Sequence, residues 1–180
     1  MRALALAVMA CPLAMYAQGP KPNRLAPFVA TPQNVVEKML ESARLKPNET
    51  LFDLGSGDGR VLITAAQQFG AKAVGIEISS KEAKLSVDKI KQLKLDDRCK
   101  VIEGDLLTAD LSAADVVTLY LLTSSNDQIR PNLEKYLKPG SRVVSHEYQI
   151  RGWVPNRVEM VQAHRRVHHL YIYEMPPQKQ

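Results

Sequence analysis

Residues 50–60 read TLFDLGSGDGR. A short apolar run carries Asp53, and Gly55, Gly57 and Gly59 follow in a G-x-G-x-G spacing. Beyond them Val61, Leu62, Ala65, Ala66 and Phe69 recur in helix-like order. The pattern is strand, tight glycine turn, helix. Glycines at the carboxyl end of a strand let the backbone approach a ligand and take angles closed to other residues. The next apolar run, KAVGIEI at 72–78, is a second strand that brings Glu77 to its tip. An acid there can accept hydrogen bonds from both hydroxyls of a ribose, so the two strands predict a nucleoside-binding α/β domain.

Two classes of nucleoside ligand use such a turn. A dinucleotide site usually carries G-x-G-x-x-G and must make room for a pyrophosphate. Here Asp53 stands at the loop's entrance and Asp58 lies within it. Two carboxylates repel a pyrophosphate and attract a ligand carrying an amine and a sulfonium. With Glu77 and the later Gly104-Asp105-Leu106, the segment DLGSGDGR resembles the class I S-adenosylmethionine-dependent methyltransferases, over about residues 26–175. The resemblance implies S-adenosylmethionine as cofactor, surrounded by Asp53, Gly55, Ser56, Gly57 and Glu77. It also implies that Asp105 accepts from the adenine amino group while Leu106 packs on the ring. The implied fold is α/β and Rossmann-like, a seven-stranded mixed sheet in the order 3-2-1-4-5-7-6 with flanking helices. Strand-like runs at 158–163 and 167–175 supply its antiparallel end.

The 180 residues suffice for one domain, and 45% apolar with 24% charged residues is the balance of a soluble globular protein. Cys11 and Cys99 form no zinc-type spacing and predict no structural disulfide. A net charge of +5 permits an anionic partner such as RNA without requiring one. Residues 1–17, MRALALAVMACPLAMYA, read as a signal or short anchor, and 18–27 as a linker. Three locations stay open: the cytoplasm, membrane attachment with the domain facing the cytoplasm, where the cofactor is made, or export. The methyltransferase domain is expected over 28–175, with 176–180 as a tail.

The opening PFVATP, residues 27–32, and TLYLL at 118–122 narrow the resemblance. They resemble a small group of archaeal, bacterial and mitochondrial protein-lysine methyltransferases. Phe28 and Thr31 are then candidates for the roof over the cofactor; otherwise Thr31 is a helix N-cap ahead of Pro32. Ser79 and Glu82 form a capping-box pair, and the lysines of the helix after them read as a solvated face.

The acceptor belongs at the carboxyl ends of the fourth and fifth strands, beside the switch in strand order. Tyr120, His146 and Glu147 are the candidate catalytic residues there. Tyr120 borders the acceptor, His146 takes a proton or orients its neighbours, and Glu147 attracts an ammonium. The Asn/Asp-Pro-Pro-Tyr often found here in enzymes that methylate nucleobase or glutamine amino groups is missing, which directs the reading toward lysine on a protein. RNA or a small molecule is the alternative acceptor, and a catalytically silent binding module the non-enzymatic one. Trp153 either packs beside a substrate or caps the core. No metal is expected, because no carboxylate accompanies His164, His168 and His169 in the sequence and their strand tips are expected to point away from the cofactor.

Overall fold

The computed structural model describes residues 29–179. Phe28, the segments 1–17 and 18–27, and Gln180 lie outside the described residues. The chain runs α1 (Gln33–Ser42), β1 (Thr50–Leu54), α2 (Arg60–Phe69), β2 (Lys72–Glu77), α3 (Ser80–Gln92) and β3 (Cys99–Glu103). A short 3₁₀ turn (Leu106–Thr108) leads to β4 (Val116–Leu119), α4 (Thr123–Tyr136) and β5 (Arg142–His146). Then come β6 (Trp153–Val154), β7 (Arg157–Ala163), β8 (Arg166–Glu174) and β9 (Gln178–Lys179).

Seven strands form one sheet in the order β3-β2-β1-β4-β5-β8-β7. Setting aside the two-residue β6, this is the predicted order. The first five strands in this order are parallel, and β8 runs antiparallel to both β5 and β7. One face of the sheet carries the side chains of Leu51, Ala73, Val116, Val144, Leu170 and Ile172, packed with α1, α2 and Ile90 of α3. The opposite face buries Phe52, Leu54, Val117, Leu119 and Val143 against Ile129 and Leu133 of α4. Burial of each such side chain contributes about 1.5–3 kcal/mol, which makes the two layers the main source of stability. The strand tips in between are thereby left to carry polar groups.

Several local expectations change. Pro32 occupies the N-cap of α1 and no side chain caps it, so Thr31 is released for contacts described below. Ser79 does cap α3, accepting from the Glu82 amide at 3.5 Å. The fourth helix begins at Thr123 and holds Pro131 in its interior. Residues 178–179 are more than a tail, because β9 pairs with β6 in a second, two-stranded sheet. Trp153 caps the core: it is 1% exposed, meets Tyr173 edge-on at 5.4 Å and donates from Nε1 to Glu134 at 2.8 Å. Membrane attachment and export are corrected as well. Among the described residues no helix is long and apolar enough to cross a membrane, and the segment 1–17 on which those expectations rested lies outside them.

The glycine turn sets the distance between α2 and α3. Gly59 caps α2 with φ of 78°, and a Cβ there would lie 2.1 Å from the Oγ of Ser86, itself fully buried on α3. Gly59→Ala would combine a left-handed backbone with this overlap. It should lower unfolding free energy by about 2–3 kcal/mol, read as a lower urea midpoint at unchanged slope.

Candidate active site

The carboxyl ends of β1 and β2 meet in the glycine loop. The amides of Gly55 and Ser56 donate to the Ile76 carbonyl at 2.9 and 3.1 Å, which folds the loop back over β2. Glu77 locks it there. One carboxylate oxygen accepts from the Gly57 amide at 2.8 Å and the other from the Ser79 amide at 2.8 Å. Each oxygen keeps a second lone pair for a further donor such as a sugar hydroxyl. Ser56 Oγ is buried with no hydrogen-bond partner among the described residues. An orphaned hydroxyl beside a doubly anchored carboxylate in a glycine cradle fits a polar nucleoside ligand.

Asp53 lies at 6% exposure beneath this loop and accepts from Thr118 at 2.7 Å. Burial pushes its carboxyl up from 3.8 to about 7, and the charges of Glu77 and Asp58 add to the rise. Thr118 was missed in the sequence. It stands directly opposite Asp53 in the parallel β1–β4 register, a pairing visible only once the two strands are neighbours.

Asp58 has a different place from the one expected. Arg60 grips it with Nε on one oxygen at 2.9 Å and Nη2 on the other at 2.8 Å, and Lys89 adds a contact at 2.9 Å. The Arg60 hydrogen bonds, with Lys89, hold its carboxyl far below the usual carboxylate range. Its charge is answered twice, so the electrostatic case against a pyrophosphate rests on Asp53 and Glu77. Lys89 leaves the solvated set for the same reason. Arg60 also donates to the Thr31 carbonyl at 2.7 Å, tying the segment ahead of α1 to the glycine loop. On the far side of the loop, Asp105 caps the 3₁₀ turn by accepting from the Leu107 amide at 2.9 Å, and Leu106 is buried beside it.

The expected acceptor residues converge. Tyr120 follows β4, and its ring lies 4.0 Å from that of His146 and 6.4 Å from that of Tyr148, centroid to centroid. Its neighbour Leu121 borders Gly55, where a Cβ would meet Leu121 Cδ2 at 3.5 Å. His146 is fully buried, and burial pushes its imidazole down from 6.5 to about 3, so it stays neutral. Its Nδ1 lies 3.5 Å from Thr31 Oγ1 and its Nε2 2.9 Å from His168 Nδ1. Glu147 turns the chain with φ of 66° and is held by its amide on the His169 carbonyl at 2.8 Å. Its Oε1 meets His168 Nδ1 at 3.0 Å and Arg166 at 2.9 Å.

This overturns the expectation that no carboxylate joins the histidines and that their strand tips point away. The strand β8 is antiparallel to β5, so its first residues lie beside the last residues of β5. His146 shares a face with Val144, and His168 with Leu170 and Ile172, by the alternation of strand side chains. Asn126 is another residue whose role the sequence did not reveal. Fully buried on α4, it donates to Ser145 Oγ and to the carbonyls of Tyr148 and Gln149 at 3.1–3.3 Å, bracing the loop after β5.

The raised Asp53 carboxyl has a direct consequence for stability. Between about 4 and 7 the folded chain holds a proton that the unfolded chain has lost, so this group's contribution to stability falls as pH rises through that window. Asp53→Asn keeps the acceptor for Thr118 and removes the buried charge. It should gain about 1–3 kcal/mol of unfolding free energy over wild type at pH 8 and little at pH 4, measured by urea titration at both values.

Residues 53–157 match the family described as the ANTKMT methyltransferase domain. A protein-lysine N-methyltransferase of Saccharolobus islandicus is 44% identical over 148 residues, covering 82% of this chain and 92% of its own. A human ATP synthase lysine N-methyltransferase is 27% identical, and the match covers 73% of this chain and 56% of that protein. Among solved structures, an RNA methyltransferase from Salinibacter ruber in complex with S-adenosyl-L-homocysteine superposes with a TM-score of 0.79 at 41% identity, covering 84% of this chain and 97% of its own. With its sheet order, anchored Glu77 and glycine cradle, the chain belongs to the ANTKMT methyltransferase domain family and is a class I S-adenosylmethionine-dependent methyltransferase.

Proposed function

We propose that this methyltransferase acts on lysine side-chain amines of a protein. The observation that carries the reading is the aromatic wall at the acceptor end, where the Tyr120 ring lies 4.0 Å from a buried, neutral His146 and 6.4 Å from Tyr148. A lysine must lose its proton before it can attack, and a poorly hydrated aromatic channel lowers an ammonium pKa by desolvation. The 44% identity to a protein-lysine N-methyltransferase supports the same acceptor. The second reading is RNA, favoured by the likeness to the Salinibacter ruber RNA methyltransferase.

When bound, S-adenosylmethionine supplies a methyl group already activated on its sulfonium. In this reading Glu77 receives the ribose hydroxyls through its remaining lone pairs. Asp105 accepts from the adenine amino group, Leu106 packs on the ring, and Gly55, Ser56 and Gly57 shape the cradle. Asp53 offers its carboxylate to a positively charged part of the ligand, and the charge it meets offsets the cost of its own ionisation. Thr31, tied to Arg60 and close to His146, closes the site from above.

Tyr120 would border the amine and hold its orientation. His146 is a positioning residue, since an imidazole held near 3 stores no proton at neutral pH. The proton passes to water, which makes a strong base unnecessary. Glu147 contributes less attraction than its charge suggests, because Arg166 answers it at 2.9 Å.

Tyr120→Phe keeps the ring and removes one hydroxyl. Turnover should fall about tenfold, the scale of one hydrogen bond, while calorimetry shows unchanged S-adenosylmethionine affinity. For the acceptor class, the full chain is incubated with radiolabelled S-adenosylmethionine and a cell extract. Label should be lost on protease treatment, survive RNase, and map to lysine by mass spectrometry. Label confined to RNA or to small metabolites would exclude lysine.

A further inference from the structure

The three polar groups gathered where β5 meets β8 have more acceptors than protons. His146 Nε2, His168 Nδ1 and Glu147 Oε1 are separated by 2.9, 3.0 and 3.7 Å. Thr31 Oγ1 is placed to accept a hydrogen bond from His146 Nδ1–H, the tautomer that leaves Nε2 as a lone pair facing inward. A single hydrogen on His168 Nδ1 then has to serve both His146 and Glu147. His168 Nε2, the other ring nitrogen, is buried without a partner among the described residues.

We propose that His146 Nε2, His168 Nδ1 and Glu147 Oε1 form a binding site for a divalent transition-metal ion of the zinc class. A point equidistant from atoms 2.9, 3.0 and 3.7 Å apart lies roughly 1.9 Å from each, and a slight displacement out of their plane gives the 2.0–2.2 Å of zinc bonds to nitrogen and oxygen. Two imidazoles and one carboxylate suit zinc and its neighbours rather than calcium or magnesium, which take oxygen ligands. The supporting contacts are of the kind that orient metal ligands: a hydroxyl at the far nitrogen of His146 and a guanidinium on Glu147. The backbone is fixed too. His146 lies opposite Leu170 in the β5–β8 pairing, and the Glu147 amide is bonded to His169. A bound ion would join the end of β5, the left-handed turn at Glu147 and the start of β8. Arg166 opposes it, because its guanidinium sits on the same Glu147 oxygen and has to shift toward Oε2. His169 Nδ1 lies 3.7 Å from that second oxygen.

The site is independent of the acceptor class, and its test needs no methyl transfer. The full chain is freed of metal with a chelator and titrated with Co²⁺, then with Zn²⁺. One Co²⁺ per chain should give visible ligand-field absorption that Zn²⁺ abolishes, and Zn²⁺ should raise the melting temperature. Glu147→Gln and His168→Asn should each weaken Co²⁺ binding at least tenfold. Arg166→Gln should tighten it, which a purely hydrogen-bonded cluster does not predict. His164→Asn, in the exposed turn between β7 and β8, should bind as wild type. Circular dichroism establishes that each variant is folded, and if His168→Asn is not, Glu147→Gln decides. The absence of a saturable Co²⁺ spectrum in folded wild type would overturn the proposal, as would binding that survives Glu147→Gln.

Discussion

The carboxylate of Glu77 holds the glycine-loop end of the sheet together. By accepting from Gly57 and Ser79 it joins the tip of β2, the glycine loop and the first turn of α3. Two backbone donors on a buried carboxylate are charge-assisted bonds, about twice as strong as neutral ones. The arrangement requires the loop to lie flat on β2, and Gly75 allows this. A Cβ there would stand 2.4 Å from Ser56 Oγ and 2.7 Å from Leu62. The neighbouring hub extends the same logic. Asp58 gathers Arg60 of α2 and Lys89 of α3, so the two helices are tied together beside the glycine loop.

Arg60 then links this end to the acceptor end. It binds the Thr31 carbonyl while the Thr31 hydroxyl faces His146. Three residues far apart in the chain thus form one wall over the strand tips. The cost of this compactness is buried charge and buried imidazole. Asp53, 6% exposed, keeps a carboxyl near 7, and His146, fully buried, an imidazole near 3. One physical cause, loss of water, makes Asp53 harder to ionise and keeps His146 neutral, acting in opposite directions on an acid and a base.

Much of the cofactor side was legible because it is local. Strand, glycine turn and helix lie within residues 50–69, Glu77 ends the next strand, and Asp105 follows two residues after the one beyond it. The positions of these residues follow from strand periodicity and the parallel order. Asp58 was misjudged because its partners are side chains whose direction no spacing reveals: Lys89 lies 31 residues away, on what reads as a solvated helix face. Thr118 was missed for a similar reason, since its partner Asp53 belongs to a strand 65 residues earlier.

The amino-acid sequence by itself carried the strand, glycine turn and helix and the acids near strand ends, because these are written in local periodicity, and its resemblance to the methyltransferases implied the strand order that the sheet shows. Tertiary structure alone decided which charges are free and which are answered. It paired Asp58 with Arg60, put Trp153 in the core and set Arg166 on Glu147. It also brought His168 to His146, since only the antiparallel return of β8 reverses which end of that strand faces the site. Side-chain pairing across distant strands depends on register and burial, and neither exists until the sheet has closed.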